Sequence, residues 1–501
     1  MDSELKEILK GIKGFRDYYP EDYAEINHIL GTMKNVSEEF GYEEYEGPSL
    51  EYAKLIEIKS GQELLDETFT VISKDERKLV LRPEQTPTLA RMIANQHQRY
   101  IKPMRWYCLP RIFRNETPQK GRVREFFQYN ADILGVDHPA ADAEIIAITI
   151  KIIKETGLNS GEFICVINSR ELMQSYVEYL KIPNYIKVIK IIDSRGKFLQ
   201  NVIQKELVAR LSDEKIAKEK ALEFRTIWEQ DPRLEKDYSS LRSNHVFSEY
   251  LGNLSEIEEK SVKEALRKID LNEDQITKFY NFATQSGSPD FVINRLKTME
   301  IGERAESALQ NLEDLCKYLK LYNIFDDCEY DTSVARGLDY YTGIVYEFFD
   351  RTGSVVRSIA GGGRYDQLVS AFGGSKIPAT GIGMGETVLL AILKKLGRIK
   401  EYGSLAEVYV APINKEVITE TAEIVEEIRK QFKTLFNPFG WKLSKHLEDA
   451  GNRGIPIAVI VGKRDLDENK VTLRNLKTGE QTTIVKSNLM EEIESMLTKQ
   501  I

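Results

Sequence analysis

Residues Pro110 to Gly135, PRIFRNETPQKGRVREFFQYNADILG, carry the strongest structural pattern in the chain. They predict a strand, a charged loop and a second strand. Between Lys102 and Arg124 there are seven lysines or arginines and one acid, which is an excess of +6 in a chain whose net charge is -9. A local cationic excess on an acidic protein indicates a site for an anion, and not a generally basic surface.

The second of these strands alternates between two faces. One face is apolar and holds Phe127, Tyr129, Ala131 and Ile133. The other face is polar apart from one ring and holds Arg124, Phe126, Gln128, Asn130 and Asp132. We expect the apolar face to pack into a core and the polar face to form the floor of a pocket for a polar ligand. The alternation by itself is equally consistent with an antiparallel hairpin that has one solvated face.

The composition describes an ordinary globular protein with several domains. A chain of 501 residues suggests about three domains at ~100–200 residues each. Hydrophobic residues make up 42% and charged residues 30%, which is typical of globular proteins. No apolar run approaches the ~20 residues that cross a bilayer, and the acidic N-terminus lacks the apolar core of a signal peptide. We therefore expect a cytoplasmic protein that does not enter a membrane.

The cysteines and histidines predict neither a disulfide framework nor a metal site. The four cysteines, Cys108, Cys165, Cys316 and Cys328, form no C-x-x-C pair and lie in apolar or mixed segments. Buried free thiols are the better interpretation. The five histidines are isolated from one another and show no H-E-x-x-H spacing, so we expect no metal ligated by the protein.

The chain before residue 170 alternates between predicted strands and helices. A short strand in Gly41–Glu51 ends at Gly47-Pro48, where proline is tolerated because no ladder donor is required. A second strand, in LVLRPEQTPTLARMIA, turns into a helix at about Thr86. Glu84 and Thr86 lie at that corner. Taken alone, they are no more than a loop acid and a helix cap.

The rest of the chain changes character twice. Residues 170–325 are rich in Lys and Glu at helical spacing and predict a mainly helical insertion domain. Strand character returns in 326–398, which includes three consecutive glycines at 361–363 where only backbone fits close to a ligand or to another strand. Gly381, Gly383 and Gly385 give a weak dinucleotide-loop signal, because no βαβ unit surrounds them. Residues 404–501 predict a compact α/β domain with a sheet of mixed direction.

Several separated segments resemble one family. RIFRNETPQKGRVREFFQ resembles motif 2 of class II aminoacyl-tRNA synthetases, and GYEEYEGPSLE is similar to motif 1. LRPEQT, ARGLDYYTG and AGGGRYDQLV resemble elements special to histidyl-tRNA synthetases. The C-terminal segments LSKHLEDAGNRGIPIAVIVG and KVTLRNLKTGEQ resemble that family's anticodon-binding domain. The resemblance covers nearly all of the chain outside the insertion.

The resemblance implies a multi-domain α/β protein. Its catalytic core would be the antiparallel sheet of class II synthetases with surrounding helices, formed by residues 1–169 and 326–398. A helical insertion domain would occupy 170–325, and the α/β anticodon-binding domain 404–501. The family also implies a homodimer that assembles through motif 1.

The implied activity is that of a histidine–tRNA ligase. Such an enzyme activates L-histidine with ATP and Mg2+ to histidyl-adenylate and pyrophosphate. It then transfers histidine to the 3′ end of tRNA(His). In the first step a carboxylate attacks a phosphate, so two anions must be held together. Arginine suits this role because its planar fork is permanently charged.

The resemblance also assigns roles to individual residues. Arg114 and Arg336 would be catalytic and hold the α-phosphate from opposite sides. Glu116 would read the adenine amino group, Phe126 would stack on the ring, and Arg122 would hold the terminal phosphates. The implied histidine-binding residues are Glu84, Thr86, Arg114, Gln128, Asp132, Arg336, Tyr340 and Tyr341.

One position departs from the family pattern. Motif 3 of class II synthetases usually ends in Gly-x-Glu-Arg, and its arginine packs on adenine and the terminal phosphate. The matching segment here is GMGETVLL, in which Val388 occupies the arginine's place. A valine cannot supply that charge, so the ATP site departs from the family more than the histidine site does.

Two other functions are consistent with parts of the sequence. A non-enzymatic paralogue, such as the regulatory subunit of ATP phosphoribosyltransferase, would explain Val388. Such paralogues usually lack the anticodon-binding domain and parts of the histidine elements, which this chain keeps. A tRNA-binding module without catalysis would not need intact LRPEQT and ARGLDYYTG segments. We therefore expect an active enzyme.

Overall fold

The computed structural model describes residues 8–117, 123–193, 215–216, 219–220, 222–223, 254–332, 340–355, 357–399 and 404–498. These residues form two compact units. The first contains 8–17 and the described part of 26–399, and the second contains 18–25 and 404–498. None of the helices in these ranges is long and apolar enough to cross a membrane.

The first unit is built on a large sheet of mainly antiparallel strands. The strands of the unit are β1 (Glu43–Glu44), β2 (Leu50–Tyr52), β3 (Thr70–Ile72), β4 (Lys78–Leu81), β5 (Met104–Cys108), β6 (Arg111–Phe113), β7 (Glu125–Leu134), β8 (Phe163–Ser169), β9 (Ser286–Gly287), β10 (Cys328–Asp331), β11 (Ile344–Asp350), β12 (Ser358–Arg364) and β13 (Ala379–Gly385). The order in the large sheet is β1-β5-β7-β13-β12-β11-β8-β10-β9, and β6 pairs with β7. A separate small sheet has the order β2-β4-β3. The antiparallel core that we expected from the sequence is confirmed.

The unit also contains helices, the first of which begins in the segment 18–25 that groups with the second unit. They are α1 (Pro20–Glu39), α2 (Ala53–Asp66), α3 (Thr86–Gln96), α4 (Pro139–Thr156), α5 (Arg170–Tyr179), α6 (Tyr185–Asp193), α7 (Leu254–Arg267), α8 (Glu273–Ala283), α9 (Pro289–Leu296), α10 (Glu303–Leu321), α11 (Leu368–Ala371) and α12 (Glu386–Lys395). Helix α4 is buried on most sides because it packs against both α10 and β13. The described part of the predicted helical insertion contains α5 to α10, and its limits at 170 and 325 stay a prediction.

The predicted hairpin at 110–135 is present. Strands β6 and β7 pair antiparallel, with Arg111 opposite Phe127 and Phe113 opposite Glu125. The predicted helix start at Thr86 is also confirmed. The apolar face of β7 is buried from Tyr129 onward, as expected, but Asn130 and Asp132 on the polar face are buried as well, while Phe126 and Gln128 are partly exposed. Asn130 and Asp132 are buried because β7 lies inside the sheet, between β5 and β13, and other side chains close over them.

The second unit has its own sheet. Its strands are β14 (Val408–Pro412), β15 (Thr434–Phe436), β16 (Ile457–Val461), β17 (Lys470–Asn475) and β18 (Gln481–Val485), and its helices are α13 (Ile418–Arg429), α14 (Leu443–Asn452), α15 (Lys463–Asp467) and α16 (Leu489–Thr498). The sheet order is β15-β14-β16-β17-β18. Strands β14, β15 and β16 run parallel, and β17 and β18 are antiparallel. The predicted mixed direction of this sheet is confirmed.

A buried ion pair ties β12 to α4 in the first unit. Arg364, at the end of β12, contacts Oδ2 of Asp142 through Nη2 at 2.5 Å and Nε at 3.2 Å. Its Nη1 also donates to the carbonyl of Val136 at 2.9 Å, and its Nη2 to the carbonyl of His138 at 3.0 Å. Both charged side chains are almost fully buried. The pair therefore fixes β12 relative to the chain that follows β7.

Replacing Asp142 with alanine should lower the free energy of unfolding by about 3–5 kcal/mol, because Arg364 would stay buried without its nearest counter-ion. The longer contacts of Arg364 with Asp366 at 3.5 Å and with Asp137 at 3.8 Å would remain. Urea unfolding at neutral pH measures this change. The matched control is Glu155→Ala on the same helix, which removes an exposed pair with Lys151 at 3.6 Å and should cost less than about 1 kcal/mol. Equal losses in the two variants would contradict this role for the buried pair.

Candidate active site

The polar face of β7 lies beside a strand that has only glycines on that face between residues 381 and 385. In the antiparallel pairing of β13 with β7, Gly381 lies opposite Asp132, Gly383 opposite Asn130 and Gly385 opposite Gln128. A β-carbon at Gly381 would run into the Asp132 carboxylate, and one at Gly383 would lie 3.2 Å from Nε2 of Gln128. The glycines of β13 therefore let the side chains of Asp132 and Gln128 lie directly against that strand.

The next strand continues this row of glycines. Gly361 of β12 pairs with Gly383, and Gly363 pairs with Gly381. The ring of Tyr341 lies beside Gly363, where a β-carbon would come within 3.1 Å of it. The glycines on β12 and β13 thus form a surface without side chains, bordered by an aromatic ring. A small, flat ligand group fits such a surface.

Three tyrosines close over Asp132. The hydroxyl of Tyr365 donates to Oδ1 of Asp132 at 2.6 Å. The ring of Tyr340 packs 5.9 Å from that of Tyr365 and 4.6 Å from that of Tyr341. Burial, more than the nearby Tyr341 and Glu84, raises the pKa of Tyr340, and burial also raises the pKa of Tyr341. These phenols are therefore neutral at physiological pH and can act as hydrogen-bonding groups.

Arg114 brings a cation to the same place. It follows β6, and its Nε donates to the carbonyl of Pro83 at 3.1 Å, which fixes the guanidinium. The guanidinium carbon lies 5.5 Å from the centre of the Phe126 ring. Burial lowers the pKa of Arg114, while the carboxylates of Glu84 and Glu67 act in the opposite direction. Arginine stays charged, and its terminal NH2 groups are suited to bind an anion.

The turn before α3, at Glu84 and Thr86, lies near Arg114, Tyr340 and Tyr341. Glu84 and Thr86 are both largely buried. The charge of Glu84 acts on Arg114, Tyr340 and Tyr341, and Thr86 forms a side-chain hydrogen bond with Tyr340. On β7, Nε2 of Gln128 donates to Asn130 at 2.9 Å. A buried acid, a hydroxyl and an amide thus accompany the cation.

The structure brings together most of the residues that the sequence predicts for the site. The linked group consists of Glu84, Thr86, Arg114, Phe126, Gln128, Asp132, Tyr340 and Tyr341. Glu116 is buried in the loop after β6, where its backbone carbonyl accepts from Nε of Arg124 at 3.0 Å. Arg122 and Arg336 lie outside the described residues.

Val388 lies on the first turn of α12 and is mostly buried. The preceding Glu386 is also buried, and Oγ1 of Thr387 donates to its Oε1 at 2.9 Å. Burial, opposed by the Thr387 hydrogen bond and by the charge of Arg16, raises the pKa of Glu386 to about 7. Gly385 comes directly before this turn. A β-carbon placed on Gly385 would lie 3.6 Å from Cδ2 of the Phe126 ring. The residue after Gly385 is therefore a buried acid, whereas the family pattern has an arginine two residues later.

Two features of the site were not predicted from the sequence. Tyr365 lies inside the AGGGRYDQLV segment, but nothing in the pattern indicates that its hydroxyl reaches Asp132 across 233 residues of chain. Glu386 stands in a segment that looks like an ordinary helix start. The glycines at 381, 383 and 385 gave a dinucleotide signal that we judged weak. They belong to a strand in the middle of an antiparallel sheet and not to a phosphate loop.

Models of known families match most of the chain. The model described as histidyl-tRNA synthetase matches residues 14–185 and 243–387. The model described as anticodon binding domain matches residues 407–496. The two together cover the large sheet and the C-terminal sheet.

Curated relatives align over nearly their full length. The histidine–tRNA ligase of Thermococcus kodakarensis is 32% identical over 98% of this chain and 99% of its own length. That of Thermoplasma volcanium is 32% identical over 97% of this chain and 98% of its own length. These alignments include the C-terminal domain, which favours the enzyme over the regulatory-subunit alternative.

Solved structures share the fold. The histidyl-tRNA synthetase from Nostoc sp. PCC 7120 superposes with a TM-score of 0.73 at 25% identity, covering 96% of this chain and 98% of that one. A Bacillus halodurans structure described as an ATP phosphoribosyltransferase regulatory subunit/histidyl-tRNA synthetase has a TM-score of 0.63 at 20% identity, covering 90% of this chain and 97% of that one. The second likeness concerns the fold alone.

The raised pKa of Glu386 makes stability depend on pH. Between its ordinary value of about 4.3 and the folded value, the folded protein binds the proton more tightly than the unfolded chain does. The free energy of unfolding should therefore fall as the pH rises through this window, by up to about 1.4 kcal/mol per unit from this group. Melting temperatures of the wild type and Glu386→Gln, measured across the window, test this.

The Glu386→Gln variant should lose this part of the pH dependence, because the amide does not titrate. Glu480→Gln serves as the control, since Glu480 is an exposed acid in the second unit. Parallel curves for the wild type and Glu386→Gln would show that the buried carboxyl does not titrate as described.

Proposed function

Because this chain belongs to the histidyl-tRNA synthetase family, we propose that it is a histidine–tRNA ligase working through the residues clustered around β7. The family's reaction has two steps, the formation of histidyl-adenylate from histidine and ATP, and the transfer of histidine to tRNA. The observation that carries the proposal is the convergence of the partly buried Arg114 with the buried acids Glu84 and Asp132 beside the glycines of β12 and β13.

Histidine would occupy the cleared surface. Its positive α-amino group suits the buried acids Glu84 and Asp132, with Thr86 and Gln128 as hydrogen-bonding neighbours. Its imidazole would lie over the glycines beside Tyr340 and Tyr341. A buried site built for polar partners rejects analogues that leave those partners unsatisfied. Tyr365 would act as a positioning residue, because its hydroxyl holds the Asp132 carboxylate.

ATP would bind on the neighbouring end of β7. Adenine would stack on Phe126, next to Gly385, where no side chain blocks the ring. Glu116 would accept a hydrogen bond from the adenine amino group, and Arg122 would hold the terminal phosphates. Mg2+ would enter with ATP, because it is held largely by phosphate oxygens and needs few protein carboxylates.

The chemistry of the first step follows from this arrangement. A carboxylate oxygen of histidine attacks the α-phosphorus, the α–β phosphoanhydride bond breaks, and pyrophosphate leaves. Arg114 would hold the carboxylate and the α-phosphate together, which offsets the repulsion between two anions in a buried site. Arg336 would face the same phosphate from the other side. In the second step the terminal ribose hydroxyl of the tRNA attacks the histidyl carbonyl, and AMP leaves.

The wider setting is proposed on the same basis. The second unit would bind the anticodon of tRNA(His), and motif 1 around Gly47-Pro48 would form a homodimer. A cytoplasmic location agrees with an enzyme of protein synthesis. The domain limits would be 1–169 and 326–398 for the catalytic core, 170–325 for the insertion and 404–501 for the anticodon-binding domain.

Histidine-dependent exchange of pyrophosphate into ATP should be present in the intact protein. Arg114→Ala and Arg336→Ala should each lower it by about a hundredfold or more, because each removes a charge that stabilises the transition state. The control is Arg111→Ala, three residues before Arg114. Arg111 is partly exposed and pairs with Glu125 at 2.8 Å, and its loss should change the rate less than about threefold.

The outcomes separate the general proposal from the assigned roles. An intact protein without exchange would reject the enzyme. Normal exchange in Arg336→Ala would reject the role of Arg336 while leaving the enzyme in place. If Arg111→Ala lost as much activity as Arg114→Ala, the effect would be structural and not due to a contact with substrate.

A further inference from the structure

An exposed aromatic loop, residues 437–442, follows β15 in the second unit. Phe439 is 64% exposed. Its ring centre lies 5.4 Å from that of the partly exposed Trp441, at an interplanar angle of 51°. Large apolar rings at the surface of a small domain are costly to expose, and they commonly mark a binding surface.

A buried polar network holds the base of this loop in place. Nδ2 of Asn437 donates to the hydroxyl of Tyr409 at 3.0 Å and to Oδ2 of Asp449 at 2.9 Å. The Tyr409 hydroxyl also contacts Nδ1 of His446 at 3.0 Å, and Arg453 donates to Asp449 at 2.9 Å. The Trp441 ring packs on His446 with centres 5.5 Å apart. The rings are therefore presented in a fixed arrangement, which lowers the entropy cost of binding.

The loop and the first turn of α14 carry positive charge in a domain that is nearly neutral. Residues 437–446 contain two lysines and no acid, whereas residues 404–501 contain 14 basic and 15 acidic residues, a net of -1. Nζ of Lys445 lies 4.4 Å from the centre of the Trp441 ring. Lys415 passes so close to Gly440 that a β-carbon there would collide with it. Rings and cations are thus combined on one surface.

The position of the loop in the fold is also that of a binding site. Strands β14, β15 and β16 run parallel, and the aromatic loop leaves the carboxyl end of β15. Lys415 follows the carboxyl end of β14. In α/β sheets, ligands bind at this edge, because the loops there converge while the strands hold them rigidly.

We propose that Phe439 and Trp441 form a stacking platform for unpaired bases of the anticodon loop, with Lys415, Lys442 and Lys445 contacting its phosphates. The inference rests on the proposed function and names the residues through which the second unit would bind RNA. Every unpaired base offers a flat face to an aromatic ring, and lysines at the rim neutralise the backbone. A protein partner is less favoured by this surface, because three lysines border two rings.

The test measures binding of a synthetic RNA hairpin, with the anticodon stem and loop of tRNA(His), to the full-length protein. Phe439→Ala and Trp441→Ala should each weaken binding about 5- to 150-fold, the loss expected for one stacked base. Trp441→Phe should keep most of the affinity. Val485→Ala removes an exposed apolar side chain from β18, at the opposite edge of the sheet, and should bind like the wild type.

The lysines give a second readout. Lys445→Ala should weaken binding and reduce its salt dependence, because one phosphate contact is lost. Lys477→Ala, in the turn between β17 and β18, is the matched control and should change neither quantity. Histidine-dependent pyrophosphate exchange, which needs no tRNA, should stay at the wild-type rate in all of these variants.

Several results would overturn the platform. Wild-type affinity for the hairpin in both Phe439→Ala and Trp441→Ala would overturn it. Failure of the intact protein to bind the hairpin would also overturn it. A change of oligomeric state in Phe439→Ala with unchanged RNA binding would assign the patch to a protein contact instead. Failure of the proposed function would give a different result. Histidine-dependent pyrophosphate exchange would then be absent in the intact protein, whether or not the protein binds the RNA hairpin.

Discussion

The site depends on one packing constraint, the close approach of two glycine-bearing strands to the polar face of β7. Gly381 has no room for a β-carbon beside Asp132, and Gly363 has none beside Tyr341 and the carbonyl of Ile344. Because these side chains are missing, the Asp132 carboxylate and the Tyr341 ring lie directly against the backbone of β12 and β13. The binding mode proposed for histidine depends on this arrangement.

Charge balance is the second requirement of the site. A buried guanidinium costs solvation energy unless acids lie nearby, and Arg114 has Glu84 and Glu67 as its neighbours. The carbonyl of Pro83 fixes its orientation. A fixed cation among acids suits a reaction that must hold the zwitterion histidine beside ATP. The acids would bind the α-amino group of histidine, and the arginine would bind both the histidine carboxylate and the α-phosphate.

The sequence was most informative where the structure depends on a local residue pattern. The alternation in β7 predicted both the core face and the polar face, and the corner at Thr86 was placed correctly. Burial of Asn130 and Asp132 was not predicted, because it depends on Tyr365 and β13, which lie far along the chain. The raised pKa of Glu386 was not predicted for the same reason, because it results from burial by tertiary packing. The roles of Arg122 and Arg336 rest on the family pattern.

The most direct measurement is calorimetric titration of L-histidine into the Gly383→Ala protein. The added methyl group would meet the flexible Gln128 amide at 3.2 Å and fill the surface that the imidazole needs. We predict at least a tenfold loss of affinity with a melting temperature close to that of the wild type. Gly451→Ala, on α14 with open space around it, is the control. Unchanged histidine affinity in Gly383→Ala would contradict the account.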